Sequence, residues 1–346
     1  MSNIVVTGAT SFLGTSIVKK LLSENHQVFA VVRPGSKNRG ALRAVEEAWG
    51  TVPGANIGVE AEAGIDSGTV RLHIIEMELD QLDQIGKYVN VPCQIFIHLG
   101  WDGAGSENRT KPELQQKNIP DTLKALEGAR SLGCRRFLFS GSQAEYGVCS
   151  SLQSEDTVCR PVSEYGKAKV EAGAKAAGLC GRWKEEGIYD MEFIHVRIFS
   201  IYGTGDHPWS LVNTCLDTFL NGGHMELGAC TQQWNFLYID DLVDGVLSLV
   251  FCEHLGESED AGAGIYNIAG AKRDTMPLRN YVEAMYELCG NRGDYTYGVL
   301  PVNAEGPANL IPDIRKLQSV TGWQPKISFE EGIRRMIAEK QSQNKG

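Results

Sequence analysis

The segment EYGKAKVEAGAKAAG, residues 164 to 178, sets a tyrosine and a lysine four positions apart in a stretch rich in alanine and free of proline. Residues i and i+4 share one helix face, so Tyr165 and Lys169 project into the same space. A phenol has an ordinary pKa of about 10 and is a poor proton-transfer group near neutrality. An ammonium beside it favours the phenolate and brings the group into the range of acid–base work. The spacing Y-x-x-x-K arises by chance in many helices, so its meaning depends on what surrounds it.

The elements that must position this pair alternate. NIVVTG is a strand, and FLGTSIVKKLLSEN carries Phe12, Leu13, Ile17, Leu21 and Leu22 at helical spacing. QVFAVVR is the second strand and GALRAVEEAW a helix; VRLHIIEMEL, CQIFIHLG, RRFLFSGS and MEFIHVRIFSIYG are strands three to six. Such alternation predicts an α/β fold with right-handed crossovers, a Rossmann-type doubly wound parallel sheet. Residues 50–69 lack periodicity and are expected to form an irregular surface excursion. IYNIAG is a further strand, DIRKLQSVTGWQPKISFEEGIRRMI a helix, turn and helix, and QSQNKG a frayed end.

The loop VVTGATSFLG has the composition of a phosphate cradle. Gly8 permits the tight turn, Gly14 allows close packing of helix on sheet, and the amides of Thr10, Ser11, Phe12 and Leu13 open the helix towards a pyrophosphate. Ser11 stands where a glycine is expected, which leaves the backbone approach less free. The second strand ends in Arg33, where an acidic residue would bind both ribose hydroxyls; Ser36, Lys37 and Arg39 follow. A guanidinium with a nearby hydroxyl and further cations suits a 2′-phosphate, which favours NADP(H) over NAD(H).

Bulk properties narrow the field. The 346 residues are 42% hydrophobic and carry a formal net charge of −10 with no basic block, which disfavours nucleic acid and anionic membrane as partners. Nine scattered cysteines, never spaced C-x-x-C, fit reduced thiols better than disulfides or a zinc site. No run approaches the roughly 18 apolar residues of a membrane span, so the protein is expected to be soluble and cytoplasmic, with no metal.

In this setting TGATSFLG, FIHLGW, FLFSGSQAEYG, YGKAK, VRIFSIYG, WNFLYIDD, YNIAG and TGWQP, in that order, resemble the extended short-chain dehydrogenase/reductase family, the nucleotide-sugar epimerases, dehydratases and 4-ketoreductases. The resemblance covers nearly the whole chain. It implies a dinucleotide-binding domain from residues 1–202 and 236–268 and a smaller C-terminal substrate-binding lobe from 203–235 and 269–346. It implies that Tyr165 passes the proton, Lys169 also bonds the nicotinamide ribose, and Ser142 orients the reacting oxygen. Glu78 and Leu79 would lie near the adenine, Leu99, Gly100, Trp101 and Ser140 along the cofactor, and Ile198 against the nicotinamide. Gln143, Ser200, Trp209, Asn213, Gln232 and Trp234 are the candidate substrate contacts, with Trp209 and Trp234 equally suited to core or rim. Asn118 would be structural, and Asp240 and Asp241 would tie lobes together and cap the next helix. Many relatives form homodimers through the helix that carries the tyrosine.

Departures from the family pattern bear on the reaction. The 4,6-dehydratases place an Asp-Glu pair after the serine or threonine; Gln143 and Ala144 stand here, which disfavours dehydration. Glu145 is either structural or at the substrate rim. Trp234 replaces the arginine that binds nucleotide phosphate or base. The resulting expectation is reduction of a 4-keto-deoxysugar on a nucleotide by NADPH. The alternatives are a 4-epimerase with tightly held NAD, a non-catalytic dinucleotide-binding regulator or scaffold, and a reductase of non-nucleotide ketones or aldehydes.

Overall fold

The structure, a computed structural model, describes residues 1–36, 38–49, 71–253, 255, 264–301 and 308–343. Lys37 and the 50–69 segment lie outside the described residues. In chain order the strands and helices are β1 (Asn3–Thr7), α1 (Phe12–Ser23), β2 (Gln27–Val32), α2 (Arg39–Trp49), β3 (Leu72–Glu76), β4 (Ile95–His98), α3 (Pro112–Ser131) and β5 (Arg136–Ser142). There follow α4 (Glu164–Glu185), β6 (Glu192–Ile198), β7 (Ser200–Tyr202), α5 (Leu211–Leu220), β8 (His224–Glu226), β9 (Gln233–Trp234) and β10 (Phe236–Tyr238). The chain closes with α6 (Ile239–Val250), β11 (Ile265–Ile268), β12 (Met276–Pro277), α7 (Leu278–Leu288), β13 (Asp294–Thr296), α8 (Arg315–Thr321) and α9 (Phe329–Gln343).

Among the described residues, seven strands form one sheet in the order β11-β6-β5-β4-β1-β2-β3. β3, β2, β1, β4 and β5 pair in parallel, with Val5 opposite Phe29 and Phe96, and Phe96 opposite Phe137. β1 buries Ile4, Val5 and Val6 completely, as a strand covered on both faces must. Strand order reverses between β1 and β4, and the crevice outside the carboxyl ends at such a switch is where α/β sheets bind ligands. The Rossmann-type architecture expected from the alternation is the one observed.

The chain divides into two compact units, residues 1–104, 111–140 and 168–195 in the first, and 105–110, 141–167 and 196–346 in the second. In the first, Phe96 stacks on Phe137 at 5.3 Å and Phe137 on Phe193 at 6.0 Å, and the fully buried Ala168, Ala172 and Ala176 of α4 pack into the same core. Small residues there let the helix backbone approach the aromatic layer. The second has an aromatic core of its own: Phe236 meets Tyr281 at 5.0 Å, and Tyr281 meets Phe329 at 4.6 Å.

Three local expectations change. The run MEFIHVRIFSIYG is not one strand: it breaks at Phe199, whose N–H donates to Ile268 O, and β7 pairs in parallel with β10 as a separate two-stranded sheet. The expected frayed tail stays helical as far as Gln343. Asp241 does not cap α6, whose N-cap is Tyr238; its carboxylate accepts from the N–H groups of Lys326 and Ile327 and fastens the segment between α8 and α9.

Candidate functional site

The turn from β1 into α1 is built for close approach. Gly8 has φ +66°, and a Cβ there would lie 2.9 Å from Gly100 N; a Cβ on Gly14 would lie 2.2 Å from Gly8 O. These two positions admit only glycine, the cradle a dinucleotide requires. Ser11 has its own reason to be there: it is the N-cap of α1, and its Oγ accepts from Gly14 N at 3.0 Å. Phe12 and Leu13 open the helix, half-buried. Thr10 Oγ1 lies 3.1 Å from Ser36 Oγ, which pins the loop after β2 to the glycine turn. Arg33 is paired with Asp102 at 3.4 Å with its side chain 66% exposed, and Arg39 is paired with Glu76.

The carboxyl end of β4 is held by hydroxyl and imidazole. Thr7 Oγ1 accepts from Gly100 N at 3.0 Å and lies 2.8 Å from His98 Nδ1. Burial, and then the charge of Lys169, push the His98 pKa down to about 3, so the ring is neutral. Leu99 and Leu79 crowd the same strand end, Leu99 against Gly8 and Leu79 against Gly100, while Glu78 precedes the 3-10 turn Leu79–Lys87 with no side-chain cap bond. Asn118 has the structural part expected of it, accepting from Asp102 N and donating to Asp102 O.

Lys169 sits in an aromatic box in the first unit. Its Nζ donates to Ser140 O at 2.6 Å and lies 3.7 Å from the centre of the Trp101 ring and 5.0 Å from that of Phe139. The Trp101 indole is fixed in turn by donation to Gln115 Oε1 at 2.8 Å. Only 2% of Lys169 is exposed, and carbonyl and ring faces stabilise its charge there. Tyr165 lies one turn earlier on α4 and is also buried.

In the second unit Ser142 ends β5 and caps the 3-10 turn Gln143–Glu145. Its Oγ accepts from Ala144 N at 3.2 Å, and its own N–H donates to Glu145 Oε1 at 2.8 Å. Glu145 is fully buried, and its Oε2 accepts from Arg197 Nε at 2.9 Å. Of the two options left open for Glu145, the structure selects the structural one. A cavity of about 1280 Å³ is lined by Ser142, Gln143, Ile198, Ser200, Trp209, Gln232 and Trp234, all singled out from the sequence. Asn213 does not line it: its amide donates to the carbonyls of Asp206 and His207 and braces the loop before α5. The remaining wall is largely apolar, with Phe199, Leu227, Leu278 and Leu310.

Sequence reasoning missed Arg109. It lines this cavity, its guanidinium lies 4.5 Å from the centre of the Tyr165 ring, and its carbonyl accepts from Tyr165 N at 2.9 Å. No local pattern marks it, because it meets the tyrosine from 56 positions away. Glu145 did carry a signal: S-x-x-E before a helical turn is a capping box. Among the described residues no group of three His, Cys, Asp or Glu is placed to hold a metal, and no helix is long and apolar enough to cross a membrane.

The glycine cradle, the strand order and the buried lysine bear directly on ancestry. A family model described as the NAD dependent epimerase/dehydratase family matches residues 4–269. The protein belongs to that family. UDP-glucuronic acid decarboxylase 1 of Arabidopsis thaliana is similar over 341 residues at 24% identity, covering 97% of this chain and 69% of its own. CDP-abequose synthase of Salmonella muenchen is 21% identical over 344 residues, 98% of each chain. Among solved structures, UDP-glucuronic acid 4-epimerase from Bacillus cereus, in complex with UDP-glucuronic acid and NAD, matches with a TM-score of 0.74 at 20% identity over 99% of both chains. The epimerase/dehydratase fold is thus shared along the full length.

Proposed function

We propose that this member of the epimerase/dehydratase family is an NADP(H)-dependent oxidoreductase that reduces the C4 ketone of a nucleotide-activated keto-deoxysugar. The observation that carries this reading is the hydrogen-bond polarity of Ser142. Its Oγ already accepts from Ala144 N, so its hydrogen is available to the cavity it lines. A donor at that point polarises a carbonyl oxygen and holds it for proton transfer. Tyr165 supplies the proton; Lys169 and Arg109 bring positive charge to its helix and its ring face and favour the phenolate left behind. NADP(H), when bound, supplies the hydride. Gly8 and Gly14 admit its pyrophosphate, Arg33 and Ser36 its 2′-phosphate, and Lys169 and Trp101 face its ribose end. Gln143 and Ala144 stand where the dehydratases carry an Asp-Glu pair beside the serine, which disfavours dehydration.

The 4-epimerase reading uses the same groups and is favoured by a different observation. A cavity of about 1280 Å³ exceeds the roughly 300–1,000 Å³ of a typical ligand pocket and leaves room for a keto-sugar to turn. The two are separated by incubating the purified protein with dTDP-4-keto-6-deoxyglucose and NADPH, and separately with UDP-glucose and UDP-glucuronic acid. Stoichiometric loss of NADPH absorbance with the keto-sugar supports reduction. Tightly held, non-exchanging NAD with interconversion of 4-epimers overturns it in favour of epimerisation.

A further inference from the structure

A serine fixed as a donor raises the question of what fixes it. We infer that Glu145 and Arg197 are positioning residues that hold the Ser142 hydroxyl as a hydrogen-bond donor to the substrate oxygen, an inference that rests on the role proposed above for Ser142. Glu145 closes a capping box on Ser142: one carboxylate oxygen holds the serine N–H at 2.8 Å, and the turn so formed aims Ala144 N at the serine Oγ at 3.2 Å. The second oxygen is bound by Arg197 Nε at 2.9 Å, with the Glu145 side chain 0% and the Arg197 side chain 7% exposed. Arg197 is itself immobilised. Its Nη1 donates to Tyr146 OH at 3.0 Å and Glu155 O at 3.2 Å, and Tyr146 OH donates to Asn267 Oδ1 at 2.7 Å. Asn267 Nδ2 closes the network on the carbonyls of Gln153 and Asp313.

The expense of this arrangement argues for a purpose. A three-residue turn at a strand end needs no buried ion pair, and apolar residues at both 145 and 197 would spare the desolvation of two charges. What the pair adds is direction. With N–H and Oγ of Ser142 both committed on the turn side, its hydrogen is left for the cavity wall to which Ser142 and Ile198, the neighbour of Arg197, both belong. Without that turn Ala144 N would not be held against Oγ, and the hydroxyl would be free to rotate away from the substrate oxygen.

The test is a double-mutant cycle of Glu145→Gln and Ser142→Ala in the full-length protein. Turnover is followed with whichever of dTDP-4-keto-6-deoxyglucose with NADPH, UDP-glucose or UDP-glucuronic acid the wild type converts, and a crystal structure of Glu145→Gln accompanies it. Glu145→Gln is expected to lower kcat about 10²-fold with KM and dinucleotide affinity unchanged, and to have no further effect in the Ser142→Ala background. In the crystal, Ser142 Oγ should leave Ala144 N. Should Glu145→Gln not fold, Arg197→Lys, which keeps the charge but not the guanidinium fork, is expected to show the same pattern more mildly. An equal loss in both backgrounds, or a Ser142 still bonded to Ala144 N in the variant crystal, overturns the inference whatever the turnover. Undiminished turnover in Ser142→Ala alone would instead remove the role of Ser142 on which it rests.

Discussion

At the residue scale the proposed chemistry rests on a phenol whose neighbours carry charge. Tyr165→Phe removes the hydroxyl proposed to donate the proton while keeping the ring beneath Arg109. It is expected to lower kcat by about 10²- to 10⁴-fold with dinucleotide affinity unchanged, measured by steady-state turnover and fluorescence titration of NADPH. Undiminished turnover would take Tyr165 out of the reaction. His98 behaves differently from the groups that do chemistry. Its folded pKa of about 3 lies far below the ordinary value near 6.5, so between those limits the unfolded chain binds a proton that the folded one refuses. Stability contributed by the neutral ring is complete above about pH 6.5 and is lost as pH falls, by about 1.4 kcal/mol per pH unit, down to the folded value. His98→Asn, which can still accept from Thr7, should flatten that part of the acid slope in urea unfolding curves recorded between pH 6.5 and pH 4.5. An unchanged slope would mean that His98 takes up a proton in the fold.

At the scale of elements, α4 shows how packing overrides propensity. Gly173 lies mid-helix, where alanine would ordinarily gain about 1 kcal/mol. A Cβ there would sit 2.5 Å from His195 Cε1, and that ring is wedged at 5.1 Å against Phe139. Gly173→Ala is therefore expected to destabilise by about 1–2 kcal/mol in chemical denaturation; a stabilised variant would show that the ring can yield. The same balance explains what sequence could convey. β1, β2, β4 and β5 are runs of apolar residues buried on both faces, and α1 starts at a serine cap, so element type was readable from local pattern. Tyr165, Lys169 and Ser142 could be singled out as candidates for the same reason, since each sits at a fixed offset within a motif. The break at Phe199 was not readable, because it depends on which distant strands pair: β6 lies beside β11, whereas β7 pairs with β10. Arg197 looked like one more residue of an apolar strand, and only the fold reveals the buried glutamate that it neutralises.

At the scale of the whole molecule, charge decides how an anionic cofactor is met. A net charge of −10 repels a dinucleotide on average, so preference for a 2′-phosphate has to come from cations close to the adenosine end. Arg33 and Arg39 are the cations of that loop among the described residues, and each is paired, Arg33 with Asp102 and Arg39 with Glu76. Exposed pairs of this kind are worth about 0–1 kcal/mol, less than the roughly 1.5–3 kcal/mol of a hydrogen bond to a charged group, so a phosphate can recruit the guanidinium from its carboxylate. NADPH should accordingly bind about 10- to 100-fold more tightly than NADH at low ionic strength. The gap should narrow as added salt screens these half-exposed charges, and Arg33→Ala should close most of it by weakening NADPH alone. Titrating both dinucleotides into wild type and variant at two salt concentrations decides the matter. NADH binding as tightly as NADPH at low salt would make the arginine a solvated loop residue and assign the site to NAD.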